Sequence, residues 1–149
     1  MIEVDINVSE YVNELFLLDG ERLKKYAMRI LESSKVADCS VSIIFIGDAK
    51  MSVLNEKYKK RKGSTDVLSF DLSDEGSDSI EGEVYVSLER AEVQSADYGV
   101  SYSEEAVRLV THGLLHLAGR VHKSDEEYEA MTRETENFVS GFFADGELM

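Results

Sequence analysis

The amino-acid sequence predicts an α/β or α+β fold: one small, mostly parallel four-stranded sheet covered by about five helices. Short β-branched, apolar runs are spread among longer segments whose apolar residues recur at helical spacing. Such interleaving places helices against a sheet. The chain has no proline, so its turns must rest on Gly, Asp, Asn and Ser. No repeat and no linker composition divides it, and residues 1–149 read as one domain.

The elements follow in order. Ile2, Val4, Ile6 and Val8 alternate with polar residues, which gives a strand with one wet face. Glu21 to about Val36 carries Leu23, Tyr26, Ala27, Ile30 and Leu31 at helical spacing. Ser40 to Ile46 is a more fully buried strand. Asp48 is the expected N-cap of a second helix, with Met51, Leu54 and Tyr58 as its buried stripe and Gly63 as its end. Val67, Leu68 and Phe70 suggest a short strand, `SDEGSDSIEG` an exposed loop, and `EVYVSL` a strand with Val84 and Val86 on one face. A helix runs from Ser87 or Leu88 to Tyr98, stopped near Gly99. Another runs from Ser103 to Ala118 on the stripe Val107, Val110, Leu114 and Leu117, with Gly119 able to terminate it. Ser124 and Glu127 form a capping box for a last helix over about 125–143, with Met131, Thr135 and Phe138 on one face.

Apolar residues make up 43% of the 149 and charged residues 31%, the balance of an ordinary globular protein. No run is long enough to span a membrane, and `MIEVDINV` lacks the basic and apolar regions of a signal peptide. The single cysteine, Cys39, excludes an internal disulfide framework and reads as a small buried hydrophobe, so a cytoplasmic location is expected. A net charge of −14 argues against a broad nucleic-acid-binding surface. Yet Lys50, Lys57, Lys59, Lys60, Arg61 and Lys62 place six of the sixteen basic residues within thirteen positions. That run is either a local phosphate-binding patch or a solvated helix C-terminus, where cations are favoured.

All three histidines, His112, His116 and His122, fall within `HGLLHLAGRVH`. His112 and His116 are four apart on a helix, so their directions differ by ~40° with a rise of ~6 Å, and both rings can address one ion. Gly119 allows the chain to leave the helix and return His122 to the same point. Three imidazoles leave one position on Zn²⁺ open, the pattern of a catalytic site. Metzincin peptidases share this spacing but carry a general-base glutamate after the first histidine. Here that position is Gly113, which makes a peptidase or small-molecule hydrolase a minor alternative.

`HGLLHLAGRVH` resembles the signature of the YbeY family, bacterial endoribonucleases of rRNA maturation. `LNEKYKKRKGSTDVLSF`, `EGEVYVSLERA` and `EEYEAM` are similar to three further blocks of that family, in the same order. The resemblance implies a four-stranded sheet with surrounding helices and a metal cleft. It implies His112, His116 and His122 as ligands of one Zn²⁺ per chain. Lys59 falls on a family arginine that acts at the phosphate or in the catalytic pocket. Thr65, Asp66 and Ser69 match a block lining the cleft, and Gly82 and Glu83 match a Gly-Asp pair. Three positions depart from the pattern. Arg120-Val121 replaces Tyr-Asp, Lys59 keeps the arginine's charge without its bidentate fork, and Ser64 replaces a proline. These departures bear on efficiency and activity and leave the metal ligands in place.

The expected function is a single-strand-specific, metal-dependent endoribonuclease acting in rRNA maturation and ribosome quality control. Lys59 and Asp66 are its candidate catalytic residues. Lys57, Lys60, Arg61, Lys62, Thr65 and Ser69 would contact RNA. Glu83, or Asp66, would hold a water or a ligand histidine, and either that water or the RNA 2′-OH would be the nucleophile. The partners implied are ribosomal RNA and a small-subunit ribosomal protein. The alternative is a non-catalytic ribosome-assembly or RNA-binding factor with a structural zinc.

Overall fold

The computed structural model describes residues 1–8, 19–34, 38–74, 76–120 and 123–144. Four strands and five helices follow in the order β1 (Ile2–Val8), α1 (Gly20–Ser33), β2 (Cys39–Ile46), α2 (Asp48–Lys59), β3 (Val67–Asp71), β4 (Ile80–Ser87), α3 (Leu88–Tyr98), α4 (Tyr102–Leu117) and α5 (Asp125–Ala144). The sheet order is β1-β2-β4-β3. β1 pairs parallel with β2, and β2 parallel with β4, while β3 runs antiparallel to β4 along the other edge. The mostly parallel four-stranded sheet with five helices agrees with the sequence expectation.

Strand alternation divides the apolar residues between two faces. Val41, Ile43, Phe45, Val84 and Val86 join the main core with residues of α1, α3, α4 and α5. Ile46 and Leu68 turn to the other face and meet Met51 of α2, with Ile44, Phe70 and Tyr85 around them. α4 is buried nearly all round, from Ala106 and Val107 to Leu114 and Leu115, as a helix at the centre of a core must be. Its buried Thr111 hydroxyl is satisfied by the Val107 carbonyl at 2.7 Å and the Tyr26 hydroxyl at 2.5 Å. Burial pushes the Tyr26 phenol well above its ordinary range.

The Ser124–Glu127 capping box holds, and three further caps accompany it. Asp19, Ser87 and Ser101 cap α1, α3 and α4 by accepting from backbone N–H groups. Ser124 accepts from the Glu127 N–H at 3.1 Å and donates to its carboxylate at 3.3 Å. Cys39 is buried, as expected. α1 ends at Ser33; Val36 lies outside the described residues.

α2 differs from expectation in three ways. Its N-cap is Gly47, without a side-chain bond. Asp48 is instead the first helical residue, and its carboxylate accepts from Ser64 Oγ at 2.8 Å and Ser87 Oγ at 2.7 Å. The helix ends at Lys59, and Lys60 takes the left-handed conformation at φ 58°. The buried Asn55 amide draws the chain round by donating to the Gly63 carbonyl at 2.9 Å. The buried stripe is Met51 and Asn55, with Leu54 packed half-buried beside Met51 as expected; Tyr58 is 54% exposed and packs edge-on to Phe70 at the surface. β4 also begins earlier than expected, inside the polar run, because Ile80 finds a backbone partner opposite Cys39.

Candidate functional site

α4 carries His112 and His116 on its one partly exposed face. Their Nε2 atoms are 3.0 Å apart, with ring centroids 4.5 Å apart and planes crossed at 73°. The i, i+4 spacing therefore brings both imidazoles to one point. Two nitrogens on a single tetrahedral zinc would stand about 3.3 Å apart, so this pair fits such an ion with little adjustment. α4 then stops in a Gly-terminated turn. Gly119 has φ 95°, and the Gly119 and Arg120 N–H groups return to the His116 and Leu115 carbonyls. Val121 and His122 lie outside the described residues. Among the described residues, no group of three His, Cys, Asp or Glu could hold a metal ion.

Gly113 has a packing reason to be glycine. A Cβ there would stand 2.5 Å from Val84 Cγ1 and 3.1 Å from Ser69 Oγ. The position after the first histidine faces the sheet, so it has no room for the glutamate of a peptidase. Gly82 is similarly close to Leu117 and the Phe70 carbonyl. Ser69 Oγ donates to the Gly113 carbonyl at 2.9 Å, tying β3 to α4 beside the histidines.

A cleft of about 760 Å³ opens in front of the two histidines. Lys59, Arg61 and Lys62 form one wall; Thr65, Asp66 and Ser69 line its floor with His112 and His116. Asn55 supports the basic wall through its bond to Gly63. Lys59 Nζ lies 5.2 Å from the Phe70 ring centroid, a cation–π contact. Asp66 is well anchored. Its Oδ1 accepts from the Val67 N–H at 2.8 Å, and its Oδ2 from Gln94 Nε2 at 3.2 Å.

Three expected site residues are not brought there. Lys57 lies over the Tyr58 ring and does not line the cleft. Lys60, at the left-handed position, does not line it either. Glu83 is on the opposite face of the sheet, since its neighbours Val84 and Gly82 face α4. Its carboxylate accepts from Tyr85 OH at 3.2 Å, and it borders a small cavity with Leu54 and Tyr58.

A second cavity, of about 230 Å³, lies on the other side of His112, between α3, α4 and α5. It shares Asp66 and His112 with the cleft and adds Gln94, Tyr98, Glu105, Arg108 and Tyr128. These residues escaped the sequence reading. The available signal was Glu105, Arg108 and His112 at spacings of three and four on one helix. Arg108 joins α4 to α5 through a bidentate pair with Glu136, at 2.7 and 2.9 Å, and also bonds Glu104 and Glu105. Glu136 is held below the ordinary carboxylate range by those Arg108 bonds. Burial pushes Glu105 up despite the same partner.

Arg120 turns to α1 and α5. It pairs with both Glu134 oxygens, at 3.2 and 2.8 Å, and donates to Ser34 Oγ at 3.2 Å. The arginine therefore clamps the chain two residues before His122.

Known proteins share this chain's sequence pattern and fold. The profile of a family described as Endoribonuclease YbeY matches residues 9–142. The chain is similar to an Aquifex aeolicus protein named Endoribonuclease YbeY, 36% identical over 80% of each chain. A Desulfitobacterium hafniense protein of the same name is 35% identical over 86% of this chain and 87% of its own. A Thermotoga maritima protein solved in solution superposes with a TM-score of 0.66 at 25% identity, covering 95% of this chain and 90% of that one. With nearly its whole length matched by the profile and these two relatives identical at more than a third of the aligned positions, the chain belongs to the YbeY family.

Proposed function

We propose that this protein is a metal-dependent endoribonuclease that cleaves single-stranded ribosomal RNA during maturation and ribosome quality control. The observation that carries this reading is the convergence of His112 and His116 at 3.0 Å on the edge of a cleft with a basic wall. The name borne by its relatives supports the same activity.

His112 and His116 would hold one Zn²⁺ together with His122. Zinc bound there would supply Lewis acidity toward a phosphodiester. The protein does the rest. Lys59, Arg61 and Lys62 attract the RNA backbone, and Lys59 counters charge that builds on the phosphate oxygens. Asp66 is fixed by Val67 N–H and Gln94, so its carboxylate is oriented to accept a proton or hold a histidine or water. Thr65 and Ser69 line the cleft where the sugar–phosphate chain would pass. Ribosomal RNA, a small-subunit ribosomal protein as partner and a cytoplasmic location follow from this reading.

A second reading, an RNA-binding assembly factor with a structural zinc, draws on Arg120. That residue is committed to Glu134 and Ser34, where the family pattern has a tyrosine followed by an aspartate. Metal content and cleavage of a single-stranded rRNA fragment, measured together, separate the two. One zinc per chain with cleavage lost in Lys59→Ala supports the enzyme. Stoichiometric zinc without cleavage supports the assembly factor, and a metal-free wild type after zinc resupply overturns both.

A further inference from the structure

We infer that the cavity between α3, α4 and α5 is a subsite for one nucleobase of the bound single strand. This deepens the endoribonuclease reading and rests on it for the identity of the ligand. The cavity and the basic cleft meet at Asp66 and His112. A strand whose phosphate lies in the cleft therefore has its neighbouring base within reach of the cavity.

The chemistry of the two sides differs in the way a nucleotide's two halves differ. The cleft wall offers Lys59, Arg61 and Lys62. The cavity offers Asp66, Glu105 and Glu136, and Arg108, the one lysine or arginine lining it among the described residues, has four of its five N–H groups engaged by carboxylates. A phosphate is repelled there, and a neutral ring is not. Exocyclic amino groups of bases are donors, and the walls are rich in acceptors. One of these, Gln94 Oε1, is buried without a partner among the described residues, while its amide nitrogen is held by Asp66.

Size and rim agree. At about 230 Å³ the cavity falls below the ~300 Å³ at which pockets for larger ligands begin, so it has room for one ring system. Leu109 and Met131 supply apolar wall. Tyr98, 66% exposed at the end of α3, and Tyr128, 59% exposed at the start of α5, stand at its border. Single-stranded RNA is held by stacking its bases on such aromatic rings.

The test uses the zinc-loaded full chain, ¹⁵N-labelled, titrated by NMR with the four 5′-nucleoside monophosphates and with ribose 5-phosphate, which lacks the base. The nucleotides are expected to bind about tenfold or more tighter than ribose 5-phosphate, shifting the Gln94 side-chain amide and the backbone near Thr132. In Tyr98→Ala/Tyr128→Ala that advantage should vanish while ribose 5-phosphate binds as before. Equal affinity for both ligand types in wild type, or an advantage that survives in the double variant, would overturn the subsite. RNA cleavage by the same samples separates the two readings. Base preference without cleavage leaves the subsite standing and removes the enzyme; cleavage without base preference does the reverse.

Discussion

The two flanks of His112 are opposites. On one, Lys59 at the end of α2 and Arg61 and Lys62 of the following loop face an open cleft of about 760 Å³. On the other, Arg108 is enclosed by Glu104, Glu105 and Glu136 in a cavity less than a third as large. The basic flank is built from exposed side chains on a chain reversal, held from below by one buried amide, Asn55. The acidic flank is built from helix faces locked by ion pairs. An overall charge of −14 thus conceals a local field of the opposite sign. A protein that repels nucleic acid over most of its surface can still attract one phosphate run to one wall.

The largest effect is expected where the flanks meet. His112→Ala and His116→Ala should each remove the metal and lower RNA cleavage by about 100-fold or more. Mass-spectrometric zinc content and a cleavage time course check both, and a variant that retains zinc and activity refutes the shared ion. Next comes the basic flank. Lys59→Ala should reduce kcat/KM by about 10–100-fold and flatten the salt dependence of RNA binding by roughly one phosphate contact. Lys57→Ala, over Tyr58 and outside the cleft, should change neither by more than about twofold. Equal losses in the two lysine variants would erase the distinction between wall and surface.

Gly113→Ala tests the seam beneath the site. Its new methyl would meet Val84 Cγ1 at 2.5 Å, at an expected cost of about 1–3 kcal/mol. Denaturant unfolding reads this directly, and an unchanged midpoint would mean that α4 rides loosely on the sheet.

The smallest effect belongs to the acidic flank and depends on pH. Glu136 is held below 4.5 by Arg108, so its contribution is present above that value and lost as pH falls through its depressed pKa. Glu105 is raised by burial, so its protonation favours the fold as pH falls through its own higher value. Below pH 4.5 the loss at Glu136 should lower the melting temperature by a few degrees, and Glu136→Gln should show a shallower acid limb. Parallel limbs in the two proteins would show that the α4–α5 pair contributes no stability.

How much of this was legible depends on the range of the cause. The i, i+4 histidines were readable because a helix alone sets their geometry. The Ser124 capping box was readable for the same reason, since a cap bonds within three residues; the Ser101 cap of α4 was not, the helix being expected from Ser103. The length and stripe of α2 were not, because Asn55 bonds Gly63 across a loop and Tyr58 packs on Phe70 of another element.

Glu83 marks the boundary most clearly. Its place beside Val84 made its side of the strand evident, yet only the packing of α4 on the Val84 face put the histidines on the other side. Gly113 likewise read as a missing general base until the sheet beneath it showed why no side chain fits. The sequence by itself determined the elements, the histidine pair and the basic run, all products of local backbone geometry and composition. Only the tertiary structure decided which face of the sheet met α4, which lysines faced the cleft, and that an acidic cavity lies behind His112. Those outcomes depend on contacts between residues tens of positions apart, whose pairing a single chain of letters does not display.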